Sequence, residues 1–108
     1  MPEGDLLSNL MTELNRGTLT LAVMSQLSEK KYGYALLQGL EEKNYPVEPG
    51  SLYPLLRRLE AHGVLESQWD TSEARPRKYY VLSTAGRDLY ERLKAEWKSL
   101  NERVDALL

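Results

Sequence analysis

The chain has 108 residues, 42% of them hydrophobic, and its 14 Lys and Arg against 16 Asp and Glu leave a formal charge of −2. That suits one compact domain with one core, and it excludes a protein that coats nucleic acid through its overall charge. The absence of cysteine excludes disulfide frameworks and thiolate metal sites. No run of about 18 apolar residues occurs, and Met-Pro-Glu-Gly-Asp at the start has neither region of a signal peptide. A cytoplasmic chain with no membrane association is expected. Any contact with nucleic acid must then come from local clusters, and two are visible: Arg57 with Arg58, and Arg75 with Arg77 and Lys78. Taken alone, each is ordinary solvated surface charge.

Asp5 can cap a first helix whose apolar positions Leu7, Leu10, Met11 and Leu14 follow the 3.6-residue period. Leu19, Ala22, Val23 and Leu27 resume it, and Gly17 either breaks the segment in two or sits inside one long helix at a cost of about 1 kcal/mol relative to alanine. From Tyr32 to about Asn44 a shorter helix is predicted, with Tyr34 or Ala35, Leu37 and Leu40 inward and Pro46 ending it. After a turn, Pro49 suits the first turn of a third helix, Glu48 is a candidate cap, and Leu52, Leu55, Leu56 and Leu59 form the buried face. Ser51, Tyr53, Arg57 and Arg58 are left outside. Two short helices joined by a tight turn, the second with a polar and basic outer face, have the outline of a pair that lays a recognition helix in the major groove.

Gly63 fits a left-handed helix stop, after which Val64 to Trp69 reads as a strand and Lys78 to Leu82 as its hairpin partner. The polar stretch from Asp70 to Pro76 becomes the hairpin tip, so Arg75, Arg77 and Lys78 sit on a wing, in reach of phosphates or an adjacent minor groove. Ser83 or Thr84 can cap a final helix running to Leu108, along which Leu93, Trp97, Leu100, Val104 and Leu107 are spaced by four, three, four and three residues, as in a coiled-coil seam. Such a seam needs a partner, and a second copy of the chain is the expected one. The predicted fold is therefore mainly α with a small β-hairpin: a winged helix-turn-helix domain with an N-terminal helical segment over residues 1–83, and a dimerisation helix over residues 84–108.

The order Tyr32-Gly33-Tyr34, then Gly50-Ser51-Leu52-Tyr53-Pro54 through Arg58-Leu59-Glu60, then Arg77-Lys78-Tyr79-Tyr80 through Leu82 to Gly86, resembles the PadR family of transcriptional regulators. The match runs from about Gly17 to the C-terminus, and one long final helix resembles the family's shorter subfamily. Departures are Ala35, where many members carry an acidic residue, and a glycine-poor wing tip containing Pro76. The resemblance implies a homodimeric repressor that binds an inverted-repeat operator and often answers to a small molecule. In some members, flat aromatic compounds enter a cavity at the dimer centre lined by a tryptophan of the final helix.

On this basis the candidate DNA-binding residues are Ser51, Tyr53, Arg57, Arg58, Lys31, Arg75, Arg77 and Lys78. Arg57 can bond a guanine edge bidentately and Tyr53 a phosphate; Arg58 can do the same work or pair with an acidic neighbour. Leu93, Trp97, Leu100, Val104 and Leu107 are the dimerisation candidates, and Trp97 is either plain packing or a wall of an aromatic effector site. Trp69 is expected in the core or as support for the hairpin, and His62, the only histidine, beside the carbonyls that end the third helix. No metal-ligand or acid–base constellation is present, so neither an enzyme nor a cofactor is expected. The competing reading is a winged-helix module that binds protein through the same face.

Overall fold

The computed structural model describes residues 2–108. In chain order the elements are α1 (Pro2–Arg16), α2 (Leu19–Ser25), β1 (Lys31–Tyr32), α3 (Gly33–Glu42), α4 (Pro49–Ala61), β2 (Leu65–Asp70), β3 (Arg77–Leu82) and α5 (Thr84–Leu107). Helix α1 starts before Asp5, which therefore lies within the helix instead of capping it. Gly17 does break the N-terminal segment: Thr18 turns back to the carbonyl of Asn15 with both its hydroxyl (2.8 Å) and its N–H (3.1 Å), and its own carbonyl accepts the Ala22 N–H.

Helices α3 and α4 end by the same device. Beyond α3 the N–H of Tyr45 reaches the carbonyl of Leu40 (2.8 Å) and that of Asn44 the carbonyl of Glu41; beyond α4, Val64 reaches Leu59 (2.9 Å) and Gly63 reaches Glu60. Both stops require one residue in the left-handed region, filled by Gly63 at φ 77° and by Asn44 at φ 63°. Gly63 was expected. Asn44 replaces Pro46 as the terminator of α3, because an asparagine adopts positive φ more readily than most side chains. Glu48 holds the N-cap position of α4, but its carboxylate makes no capping bond; only its carbonyl does, toward Ser51 and Leu52.

Leu52, Leu55, Leu56 and Leu59 are buried as their spacing predicts, against Val23, Met24, Leu27, Leu36, Leu40, Val64, Leu65, Tyr80 and Leu82. In α3 the inward stripe is Gly33, Leu36 and Leu40, with Leu37 half-buried. Tyr34 and Ala35 point outward, a correction of one position in the helical phase that follows from α3 starting at Gly33, straight off the extended Tyr32.

The sheet has three antiparallel strands in the order β1-β3-β2, not two. β2 and β3 pair from Leu65↔Leu82 to Asp70↔Arg77, and β1 adds Lys31↔Tyr80 and Tyr32↔Tyr79 on the other edge of β3. Two residues carry no alternation signal, so β1 exists only because β3 offers it an edge. Ser83 joins the sheet to α5: its hydroxyl oxygen accepts the Gly86 N–H (2.9 Å) as the N-cap and faces the carbonyls of Gly63 and Val64 (2.7 and 3.1 Å). Gly86 and Tyr90 in the first turns of α5 pack onto the body, while Leu93, Trp97, Leu100 and Val104 remain 40–49% exposed and Leu107 83%. Among the described residues no helix is long and apolar enough to cross a membrane. The architecture is a winged helix-turn-helix carrying one projecting helix.

Candidate nucleic-acid interface

In a winged helix-turn-helix the groove-reading surface is the outer face of the second helix of the pair, here α4, with the hairpin beside it. The buried leucine stripe of α4 leaves Ser51, Arg57 and Arg58 exposed. Neither arginine has an ion-pair partner among the described residues, so the acidic neighbour considered for Arg58 does not materialise, and both guanidinium groups are free. Tyr53 departs from expectation. It is half-buried, its ring seated on the start of α3 so closely that a Cβ on Gly33 would lie 2.6 Å from the ring. It thereby joins the two helices of the pair as much as it decorates their surface.

The hairpin cations divide into one that is free and two that are held. Arg75 is exposed at the tip without an ion pair among the described residues. Arg77 is 3.2 Å from Glu73 and 4.0 Å from Asp70, with its guanidinium 4.3 Å over the Tyr32 ring. Lys78 reaches back to α4, 3.1 Å from Glu60, whose carboxylate also accepts the Ser67 hydroxyl. The Ser67 bond first, and then Lys78, hold the Glu60 carboxyl below its ordinary range against the opposing effect of burial. This contact ties the wing to the helix carrying Arg57 and Arg58. Lys31, half-buried in β1, sits opposite Tyr80, and its neighbour Lys30 lies 4.7 Å over the Tyr79 ring.

Trp69 is 60% exposed, so of its two expected places, the core or a support for the hairpin, the core is excluded. Its place opposite Lys78 near the hairpin tip puts it beyond the reach of the core, and the Lys78 ammonium lies 5.8 Å from its ring. His62 occupies the C-cap of α4 as expected. No spacing in the chain signals that Glu60, Asp70 and Tyr32 organise the wing, although Asp-Thr-Ser at 70–72 has the pattern of a side chain closing its own turn: Asp70 accepts the N–H and hydroxyl of Ser72 at 3.0 and 2.6 Å.

Two apolar surfaces are also exposed: the α5 seam, and the α1 side chains Leu6, Leu7, Leu10, Met11 and Leu14, each of the latter more than half exposed. A cavity of about 520 Å³ opens between the end of α1 and the α3–α4 turn, lined among others by Arg16, Leu19, Tyr45, Val47 and Ser51. Trp97 is not among its walls.

The comparisons with known proteins agree with this geometry. Residues 20–92 match the model of the transcriptional regulator PadR-like family. A transcriptional regulator of Mycobacterium tuberculosis is 37% identical over 78 residues, 71% of this chain and 73% of that protein. Among solved structures, a PadR family transcriptional regulator from Eggerthella lenta superposes with a TM-score of 0.95 at 43% identity, covering 99% of this chain and 96% of that one. A PadR-like transcription factor from Bacteroides fragilis gives 0.77 at 36% identity over 93% and 99%. The chain belongs to the PadR-like family of transcriptional regulators.

Proposed function

We propose that the protein is a homodimeric repressor that binds an inverted-repeat operator through α4 and the wing. The observation that carries this reading is the pair of free guanidinium groups, Arg57 and Arg58, on the outer face of a helix to which the hairpin is tied by the Glu60–Lys78 bridge. Arg57 reads a guanine edge; Ser51, Tyr53, Arg58, Lys31 and Arg75 hold phosphates or base edges; Arg77 and Lys78, whose charges are shared with Glu73 and Glu60, act mainly through the wing they stabilise. A second copy covers the seam of Leu93, Trp97, Leu100, Val104 and Leu107, which would otherwise leave five apolar side chains in water. Residues 84–108 thus serve as the dimerisation helix, and residues 1–83 as the DNA-binding part.

A planar aromatic compound enters between the two seams and stacks on Trp97, whose ring is 41% exposed in the single chain. Its effect is to change the crossing of the two α5 helices and so the spacing of the two α4 helices, relieving repression to the extent that the ligand prefers the spacing the operator does not fit. No catalysis is involved. The test is binding to the chain's own upstream DNA across a salt series. Specific binding should survive competitor DNA and weaken steeply with salt; Arg57→Ala should cost about 1–3 kcal/mol and relax base preference at one position, and Arg75→Ala should lower the salt slope by roughly one. A protein-binding module would show neither behaviour, and that result would overturn the reading.

A further inference from the structure

The hairpin projects from a narrow base. From Leu65↔Leu82 to Asp70↔Arg77 it spans five residue steps, roughly 17 Å at the usual rise, so a pivot of about ten degrees at the base moves the tip by roughly 3 Å. A two-stranded hairpin is marginal by itself, and β1 contributes only two residue pairs. Something else must set the angle at which the wing stands.

The strand register sorts the wing's side chains onto two faces, because successive residues alternate. Ser67, Trp69, Lys78 and Tyr80 share one face, where Glu60 of α4 holds Ser67 and Lys78. Asp70, Arg77, Tyr79 and Tyr32 share the other. There the Tyr32 hydroxyl donates to Asp70 Oδ2, across 38 residues of sequence, while Asp70 Oδ1 closes the turn at Ser72. The Arg77 guanidinium lies over the Tyr32 ring at 4.3 Å, and Tyr79 meets the same ring edge-on at 5.7 Å. Tyr32 is also the N-cap residue of α3. One side chain therefore links the tip end of both long strands to the first residue of the helix pair.

We infer that Tyr32, Asp70 and Arg77 form a clasp that sets the angle of the wing against the helix pair, and that Tyr32 and Asp70 are positioning residues for DNA binding which do not themselves touch DNA. This rests on the DNA-binding function proposed above. The bonds from Ser72 and Tyr32 hold the Asp70 carboxyl well below the usual carboxylate range, so the acceptor stays ionised throughout the neutral range. With Glu60 pulling on the opposite face, the hairpin is held from both sides.

The experiment uses the full chain with the substitutions Y32F, D70A, D70N, R77A and the double change Y32F/R77A. Tyr32→Phe keeps the ring under Arg77 and removes only the hydroxyl; Asp70→Asn keeps an acceptor oxygen; Asp70→Ala keeps neither charge nor acceptor. Wing order is read in the free protein from the heteronuclear ¹⁵N NOE of residues 71–75, and affinity from anisotropy of a labelled duplex carrying the upstream inverted repeat. Y32F and D70A should lower the NOE of the tip and weaken binding roughly tenfold, the equivalent of one lost charge-assisted hydrogen bond, with D70N, which keeps one acceptor oxygen but neither the charge nor the second acceptor, recovering only part of the loss. In the R77A background Y32F should add little, because both act through one clasp. Tip NOE values in Y32F and D70A equal to those of the unmodified protein would overturn the clasp. So would weakening by Y32F and R77A that simply adds. If D70A fails to fold, Y32F decides alone, and if the unmodified chain binds no DNA, the functional reading falls while the NOE still decides the clasp.

Discussion

Replacing Gly86 with alanine should destabilise the protein, although it puts a better helix former into the first turn of α5. Alanine gains about 1 kcal/mol over glycine in a helix interior. Here, however, the added Cβ would stand 2.0 Å from the Val64 carbonyl oxygen and 3.0 Å from its carbon, both main-chain atoms that no rotamer change can move aside. Relief requires the first turn of α5 to retreat by more than about 1 Å, an overpacking cost of about 1–3 kcal/mol. The same retreat pulls on the Ser83 N–H, 3.0 Å from the Val64 carbonyl, and on the cap from the Gly86 N–H to Ser83 Oγ, worth about 1 kcal/mol. The net loss is about 2 kcal/mol, or about 10 °C in Tm for a chain of this size. Urea unfolding followed by circular dichroism at one fixed protomer concentration measures it, with Gly39→Ala as the control. Gly39 lies within α3 with nothing within 4 Å of a built Cβ, so that variant should gain up to about 1 kcal/mol. If Gly86→Ala is stabilised in parallel with the control, the packing argument is wrong.

Gly33→Ala should displace the Tyr53 ring, 2.6 Å from the added Cβ, and cost about 1 kcal/mol; a Tyr53→Leu background should erase most of that loss in urea titrations. Asn44→Ala should cost about 1 kcal/mol, since alanine at φ 63° lacks the polar side chain that eases the left-handed conformation, whereas Asn44→Gly should be neutral or better. Glu60 has a folded pKa below its ordinary 4.5, so its contribution is present above that value and fades as pH falls through the lower folded one. The stability difference between the unmodified protein and Glu60→Gln should accordingly be largest at neutral pH and shrink below about pH 4; a difference independent of pH would contradict the assigned bonds. Leu100→Asp with Val104→Asp should give monomers in light scattering, and an unmodified protein that is already monomeric at micromolar concentration would refute dimerisation through α5.

What could be read from the sequence was local and periodic. The four leucines of α4, the glycine stop at 63, the hairpin, the Ser83 cap and the α5 seam each announce themselves within about one or two turns of chain, because a helix or strand sorts its own side chains by geometry alone. The order of the elements then carried the winged helix-turn-helix fold and the family resemblance, both of which the comparisons uphold. Tertiary structure decided the rest. β1 forms because β3 has a free edge, Tyr53 is half-buried because Gly33 leaves room for its ring, and Trp69 stays exposed because its strand outruns the core. The wing cations look alike in sequence, yet Arg75 is free while Lys78 is held by Glu60 from 18 residues away and Arg77, besides its near neighbours Glu73 and Asp70, lies over the Tyr32 ring from 45 residues away. Ionic and aromatic contacts of this kind depend on distances across the folded chain, and no spacing along the sequence encodes those distances.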